Sequence, residues 1–332
     1  MSIVAVTGPA GHVGANLVRA LLARGDQVRA LVHHDTQALD GLDVEMVSGD
    51  VGEPDSLRRA FAGAEMVYHT AVYISLAMHE WPRLEAVNVQ GARNVAQACL
   101  ESGVRRLVHL SSVEALVDGP SSTPVDETRP LVESRRYSLY ARSKAAGEKE
   151  VRQAMAQGLD AVILYPTAIL GPHDHRLGFA NSGLLGMATG KLWALVDGGF
   201  DWVDVRDVAV GALQAAARAP AGGRYILAGH RASLRDLAGV AEEVSGTKAP
   251  RLVFPMGLAR LVAPLGALFG RLTGTRPLFT PAALRPLRSN PRISHARATH
   301  DLDYQPRPLL DTVTDTVEWF AARGLMNGKG DG

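Results

Sequence analysis

Short β-branched runs alternate with amphipathic helical segments through the first half of the chain. In order, these segments include IVAV, ANLVRALLARG, QVRALV, DSLRRAFAG, MVYHTA, NVQGARNVAQACLESG and RLVHLSS. Strands and helices that alternate across short turns predict an α/β fold, in which a parallel sheet is covered by helices on both faces. Ligands of such sheets bind at the carboxyl ends of the strands. Motifs at those ends are therefore the candidate functional residues.

The alternation breaks up after about residue 170, which predicts two lobes in a chain of 332 residues. We expect a nucleotide-binding domain from residues 1–170 with 197–220, where DWVDVRDVAVGALQAAARAP adds one more strand and helix to the sheet. A smaller α/β substrate lobe would comprise 171–196 and 221–326, with strands RYILAG and RLVFP and helices near 233–245 and 256–273. Residues 327–332 are predicted to be a flexible tail.

Composition narrows the class of ligand. The chain has 35 Lys and Arg against 34 Asp and Glu, with no block of like charge, so neither nucleic acid nor an anionic membrane surface is indicated. A small neutral or weakly anionic substrate fits better. The single cysteine, Cys99, excludes a disulfide framework and is expected in the core of a helix.

The chain has two apolar stretches, and neither predicts a secretory signal or a membrane-spanning segment. The N-terminal apolar run is too short for a secretory signal, so we expect a cytoplasmic protein. The stretch 255–274 is interrupted by Arg260, Pro264 and Arg271, which excludes an integral membrane segment there. Its helix, 256–273, is expected to be a lid or interface helix.

A glycine-rich loop, VTGPAGHVG, follows the first strand and opens the first helix. Gly8, Gly11 and Gly14 are spaced by three, as in the dinucleotide fingerprint of a Rossmann-type, doubly wound sheet. Glycine allows the backbone to turn tightly and approach a pyrophosphate, whose charge meets the amides of the helix N-terminus. His12 is expected to shape this turn rather than take part in chemistry.

Further motifs occur in a characteristic order: GDV at 49–51, HTAV at 69–72, NVQGARN at 88–94, LSS at 110–112, YARSK at 140–144, YPTAILGP at 165–172 and WVDVRDVA at 202–209. With the glycine loop, they make the first 210 residues resemble the extended short-chain dehydrogenase/reductase family, the NAD-dependent epimerase/dehydratase superfamily. The dihydroflavonol reductase and 3β-hydroxysteroid dehydrogenase branch is the most similar. The resemblance implies an NAD(P)-dependent oxidoreductase and a possible homodimer.

The resemblance also implies roles for individual residues. Ser112, Tyr140 and Lys144 match the family's catalytic residues, and Asn88 would buttress the site. By the same resemblance, Asp50 and Val51 would hold the adenine, and Ala71 and Val72 would line the adenosine side. The backbone after Tyr165 and Pro166 would run beside the nicotinamide. The family often has arginine at the position of Tyr165. The predicted cofactor-binding set is Gly8, Gly11, His12, Val13, Gly14, His33, His34, Asp50, Val51, Thr70, Ala71, Val72, Tyr140, Lys144, Tyr165, Pro166 and Thr167.

The spacing of Tyr140 and Lys144 has a chemical reason. A free phenol titrates near pH 10, and residues i and i+4 lie on one helix face about 5–6 Å apart. An ammonium about 6 Å away, at an effective dielectric constant of about 20, favours the phenolate by about 2.8 kcal/mol, or about two pK units. The spacing therefore predicts a lowered pKa for Tyr140, which would exchange a proton with a substrate oxygen. Ser112, at the end of its strand, would hydrogen-bond that same oxygen. The alternative is an exposed helix face with an incidental Tyr–Lys pair.

The residue after the second strand bears on the cofactor. NAD-binding folds usually place an acid there for the ribose 2′-hydroxyl, whereas this chain has His33. His33 and His34 could instead meet a 2′-phosphate, although Asp35 is close by. We therefore expect NADP(H) to be favoured over NAD(H).

The substrate is less constrained. Nucleotide-sugar enzymes of the family commonly have an arginine where this chain has Phe200, and losing that cation favours a small or hydrophobic substrate. Arg224, Arg231 or Arg276 could still reach a phosphate, so an epimerase or dehydratase with tightly bound NAD is the alternative. Glu114 is expected either to contact substrate or to cap the strand end.

Two further hypotheses carry less weight. His173, Asp174 and His175 could suggest a metal site, but the proposed chemistry needs no metal and a solvated loop explains them. A non-catalytic NADP-sensing regulator could keep the glycine loop and lose the tyrosine or lysine, whereas this chain keeps both.

Overall fold

A computed structural model describes residues 2–75, 80–258, 287 and 292–326. The strands in this part of the chain are β1 (Ile3–Thr7), β2 (Gln27–Val32), β3 (Glu45–Ser48), β4 (Met66–His69), β5 (Arg106–Leu110), β6 (Ala161–Pro166), β7 (Ala168–Leu170), β8 (Ala194–Val196), β9 (Gly199–Asp204), β10 (Arg224–Leu227), β11 (His230–Ser233) and β12 (Leu252–Phe254).

Seven of these strands form the main sheet in the order β10-β6-β5-β4-β1-β2-β3, and every pair in it is parallel. The inner strands β4, β5 and β6 are buried along their whole length, as expected when helices cover both faces. The chain reverses its direction of travel across the sheet at β1, which places a ligand-binding crevice between β1 and β4. The predicted fold class, a Rossmann-type α/β sheet, is confirmed.

The described helices are α1 (His12–Arg24), α2 (Pro54–Phe61), α3 (Trp81–Leu84), α4 (Gly91–Glu101), α5 (Leu139–Ala156), α6 (Phe179–Ala188), α7 (Val205–Arg218), α8 (Leu234–Ser245), α9 (Ala296–Leu302) and α10 (Leu309–Ala322). A π-helical turn, Glu85–Gln90, joins α3 to α4. Short 3₁₀ turns lie at Gln37–Leu39 and Val113–Ala115.

The helices form two layers on the main sheet. One layer contains α1, α7 and α9, which bury residues such as Leu17, Val208 and Leu302 against the sheet. The other contains α2, α4 and α5, which bury Phe61 and Cys99. Cys99 is thus the helical core residue that the sequence predicted.

Two smaller sheets, β11-β9-β7 and β12-β8, lie with α6, α8 and α10 around a separate apolar cluster. Two expectations were wrong here. The strand of DWVDV pairs with β7 and β11 and does not join the main sheet, although α7 after it does pack there. Conversely, the RYILAG strand is β10, the edge of the main sheet, because it pairs with β6.

Other expectations fall outside the described residues. The helix predicted at 256–273 is described only for its first three residues, and the tail 327–332 is not described. In the parts of the chain that are described, no helix is long and apolar enough to cross a membrane.

Candidate active site

Two glycines of the glycine loop, Gly8 and Gly14, pack too closely for a side chain. Gly8 has φ of +68°, and a Cβ there would lie 2.6 Å from the backbone of Ala71. A Cβ on Gly14 would lie 2.1 Å from the carbonyl oxygen of Gly8. These contacts hold the start of α1 against the end of β4. A helix leaves its first amides without acceptors inside the helix, and at α1 those belong to His12, Val13 and Gly14, so the loop is a candidate anion-binding cradle.

His12 connects this cradle to the segment after β7. Its Nε2 lies 3.1 Å from the carbonyl oxygen of Gly171 and 3.2 Å from that of Pro172. Asn16 also donates to the Pro172 carbonyl, at 3.0 Å. Burial lowers the pKa of His12, against the nearby charge of Asp174. The His12 side chain therefore fixes local structure by holding the segment after β7 against the loop.

The residues predicted for the adenosine side lie at the carboxyl ends of β3 and β4. The Asp50 carboxylate accepts a 2.6 Å hydrogen bond from the Gly52 amide, and Val51 is buried. The Thr70 hydroxyl donates to the carbonyl oxygen of Thr7 at 2.7 Å, which ties β4 to β1. Val72 is exposed at this edge.

Asn88, in the π-helical turn, joins this edge to α5. Its side chain accepts a 2.8 Å hydrogen bond from the Tyr73 amide and donates to the Tyr73 carbonyl at 2.9 Å. It also donates to the Ser143 hydroxyl at 2.9 Å, and that hydroxyl donates to the Tyr140 carbonyl. A Cβ on Gly147 would lie 2.0 Å from the Asn88 carbonyl oxygen, so the two helices touch through their backbones.

Ser112 and Tyr140 meet at the carboxyl end of β5. Ser112 caps the 3₁₀ turn by accepting a hydrogen bond from the Glu114 amide at 3.2 Å, and its hydroxyl is near enough to the Tyr140 phenol to lower the pKa of that phenol. Tyr140 is in the first turn of α5 and is partly exposed. Glu114 follows the end of the strand, and its carboxylate lies close enough to the Tyr140 phenol to raise the pKa of that phenol.

The pKa of Tyr140 is raised, not lowered as the Tyr–Lys spacing predicted. Desolvation of the phenol is the main cause and the charge of Glu114 adds to it, while the nearby Ser112 hydroxyl opposes both. The Lys144 ammonium is buried and donates to the Leu110 carbonyl at 2.6 Å. Burial lowers the pKa of Lys144 to about 8, opposed by the charge of Glu148.

Three predicted residues lie at the carboxyl end of β6: Tyr165 and Pro166 end the strand, and Thr167 follows it. The Tyr165 side chain is completely buried and donates to Glu148 at 2.7 Å. This leaves the backbone of Tyr165 and Pro166 for the predicted position beside a nicotinamide. The Thr167 hydroxyl donates to Asp201 at 2.7 Å, which joins β6 to β9.

Ionisable residues cluster at the end of β2. The exposed rings of His33 and His34 lie 3.6 Å apart, and His33 Nδ1 is 3.6 Å from the Asp50 carboxylate. Asp35 pairs with Arg176 at 2.9 Å. The sequence pointed to the histidines and to Asp35 but missed Arg176, because 141 residues separate it from Asp35. The motif GPHDHRLG that carries Arg176 was its only signal.

The candidate substrate residues of the smaller sheets are partly placed. Phe200 on β9 packs edge-on against Trp202, with ring centroids 5.0 Å apart. Arg231 on β11 pairs in register with Asp201. Arg224 begins β10 and therefore lies at the amino edge of the sheet, opposite the site, whereas Arg276 is outside the described residues.

The loop of His173, Asp174 and His175 has structural partners. Both histidine rings pack edge-on against Trp319. Asp174 accepts hydrogen bonds from the Gly178 amide and from Asn181. In the described ranges, no group of three or more histidine, cysteine, aspartate or glutamate side chains is arranged to hold a metal ion.

Comparison with known proteins agrees with this geometry. Sterol demethylase protein B of Methylococcus capsulatus is 38% identical over 97% of this chain and 99% of that protein. A putative dihydroflavonol 4-reductase of Synechocystis is 30% identical over 97% of this chain and 95% of that protein. The crystal structure of gox2253 matches with a TM-score of 0.86 and 33% identity, covering 98% of this chain and 100% of that one.

Residues 4–228, more than half of the chain, match the model of the NAD dependent epimerase/dehydratase family. This match confirms the resemblance that the glycine loop and the YARSK motif indicated. The chain therefore belongs to the NAD-dependent epimerase/dehydratase family of enzymes.

Proposed function

We propose that this protein is an NADP(H)-favouring oxidoreductase that interconverts a carbonyl and a secondary alcohol on a small or hydrophobic substrate. The observation that carries the proposal is that Ser112 and Tyr140 lie side by side at the carboxyl end of β5, with buried Lys144 one helical turn along α5. The glycine cradle lies at the same edge of the sheet, at the end of β1.

The residues present fit a nicotinamide dinucleotide. The tight contacts at Gly8 and Gly14 leave backbone amides, without side chains, to face a pyrophosphate. When bound, the cofactor would supply the hydride to the substrate carbonyl carbon, or accept it from the alcohol. The residues that would hold it are those of the glycine loop, Asp50 and Val51 at the adenine, Thr70, Ala71 and Val72 beside the adenosine, and the backbone of Tyr165, Pro166 and Thr167 at the nicotinamide.

Tyr140 would act as the proton donor in the reductive direction. Its raised pKa keeps the phenol protonated at neutral pH. As the substrate oxygen gains charge, the phenol O–H bond breaks and the O–H bond of the alcohol forms. Ser112 would donate a hydrogen bond to the same oxygen and orient it. Lys144, in its cationic form, would stabilise the phenolate that remains.

The proposed preference for NADP(H) depends on the end of β2. His33 stands where an acid would otherwise accept the ribose 2′-hydroxyl, and Asp35 is already paired with Arg176. Arg176 adds a guanidinium to this edge, and a guanidinium binds phosphate well. These charges support a 2′-phosphate over a 2′-hydroxyl.

The proposed substrate class depends on Phe200 and on the relatives. An aromatic ring at this position supplies an apolar contact and no charge. The names of the two relatives refer to a sterol and a dihydroflavonol, neither of which carries a phosphate. Arg231 is the observation that favours the alternative, an epimerase or dehydratase acting on a nucleotide sugar, although Asp201 lies opposite it.

One experiment separates the two functions. Purified protein is assayed for retained cofactor after gel filtration, then titrated with NADPH and NADH by fluorescence. We expect the purified protein to contain no cofactor and to bind NADPH more tightly than NADH. Tightly retained NAD would instead favour an epimerase or dehydratase.

The proposed proton donor is tested with Tyr140→Phe. We expect this variant to lose about 10²–10⁴-fold in ketone reduction while it binds NADPH nearly as the wild type does. Turnover at the wild-type rate would refute the role of Tyr140.

A further inference from the structure

Glu148 lies one helical turn beyond Lys144 on α5 and is completely buried. Its Oε1 accepts hydrogen bonds from the Tyr165 hydroxyl at 2.7 Å and from Arg152 at 2.6 and 3.0 Å. Its Oε2 accepts a 2.8 Å hydrogen bond from the Ser111 hydroxyl. One carboxylate therefore joins α5 to β5 and β6, directly behind the candidate active site.

Burying a carboxylate is costly unless it is paired and hydrogen-bonded, and Glu148 meets both conditions. A packed apolar residue would serve structure alone equally well. The charge matters instead for Lys144, because among the described residues its ammonium hydrogen-bonds only the neutral Leu110 carbonyl, and the Glu148 charge raises its pKa. Within the described chain, Lys144 is affected by Glu148 on α5, His69 on β4 and His109 on β5. Glu148 itself is affected by Arg152 on α5 and Tyr165 on β6.

The geometry points to Glu148 as a positioning residue that keeps Lys144 cationic at neutral pH inside the buried site. This inference rests on the proposed function only where it concerns turnover. His69 and His109 are buried and neutral, because burial and the Lys144 charge lower the pKa of both. Neither histidine can supply the opposing charge. Glu114 faces the Tyr140 phenol from the 3₁₀ turn and does not replace Glu148.

The test is Glu148→Gln, which removes the charge and keeps nearly the same shape. The glutamine oxygen can still accept from Arg152 and Tyr165, and its amide can donate to the Ser111 hydroxyl. The matched control is Glu150→Gln, the same substitution on the same helix, where the carboxylate pairs with exposed Arg93 at 2.7 Å. Glu148→Asp keeps the charge and tests whether shape alone matters.

The first readout needs no substrate. The pKa of Lys144 is about 8 in the folded chain and about 10.4 in the unfolded chain. Between these two pH values the unfolded chain binds more protons, so the free energy of unfolding rises with pH. Loss of the Glu148 charge lowers the folded pKa further. In Glu148→Gln, the unfolding free energy should therefore start to rise at a pH that is lower by about one unit or more. A shift of this size is expected when a charge about 6 Å away is removed.

The second readout is the pH profile of kcat/KM for ketone reduction. We expect its alkaline limb to move to lower pH by a similar amount in Glu148→Gln, and to stay in place in Glu148→Asp and Glu150→Gln. Overlapping stability curves for Glu148→Gln and wild type would overturn the inference, as would an equal shift in Glu148→Asp. A shift in stability without a shift in the kcat/KM limb would support Glu148 tuning Lys144 and refute the proposed part of Lys144 in turnover.

Discussion

Replacing Asn88 with alanine should weaken both the fold and cofactor binding. The side chain is buried and makes three hydrogen bonds, two to the Tyr73 backbone and one to the Ser143 hydroxyl. Each is worth about 0.5–1.5 kcal/mol, and a buried group left unpaired costs about 1–3 kcal/mol. Tyr73 is half-buried, so water can partly replace its partners, and Ser143 keeps its bond to Tyr140. We expect a loss of about 3 kcal/mol in unfolding free energy.

The matched control for this prediction is Asn94→Ala on α4. Asn94 makes one side-chain hydrogen bond, to the Val51 carbonyl at 3.0 Å, so about 1 kcal/mol should be lost. Urea unfolding measures both variants, and fluorescence titration gives their Kd for NADPH. Because Asn88 holds the segment after β4, we expect its loss to raise that Kd about tenfold, or about 1.4 kcal/mol. Equal effects of the two substitutions on stability and on Kd would refute the reasoning.

Three more predictions follow from single contacts or charges. His33→Asp should change the ratio of NADPH to NADH affinity about tenfold toward NADH, and an unchanged ratio in fluorescence titrations would contradict the ribose argument. Gly147→Ala should cost about 2–3 kcal/mol in urea unfolding, because its Cβ would meet the carbonyl oxygen of Asn88, whereas Gly183→Ala, with open space around it, should be neutral or stabilising. His109 has a pKa lowered by burial, so stability should fall as pH drops below about 6.5, by about 1.4 kcal/mol per pH unit for this residue. A His109→Leu variant with the same acid slope as wild type would contradict that last expectation.

The first two hundred residues show why part of the fold was predictable. Parallel strands buried on both faces need continuous apolar runs, and a phosphate cradle needs glycines at fixed spacing, so both leave local patterns. The meeting of Ser112 and Tyr140 was also predictable, because LSS ends a strand and YARSK begins a helix at the same edge of the sheet. Strand pairing beyond residue 170 was not, because short strands such as β9 and β10 have similar patterns whichever sheet they join.

The sequence by itself determined the fold class, because that depends on the order of strands and helices along the chain. It also pointed to the glycine loop by its spacing and, through the family resemblance, to the candidate catalytic residues. Only the tertiary structure decided the electrostatics of the site. The pKa of Tyr140 depends on desolvation and on Glu114, and that of Lys144 on burial and on Glu148, none of which the Tyr–Lys spacing reveals. The pairing of Arg176 with Asp35 likewise joins residues far apart in the chain. Spacing along a helix gives proximity, but the charge state of a buried group depends on everything that the fold brings around it.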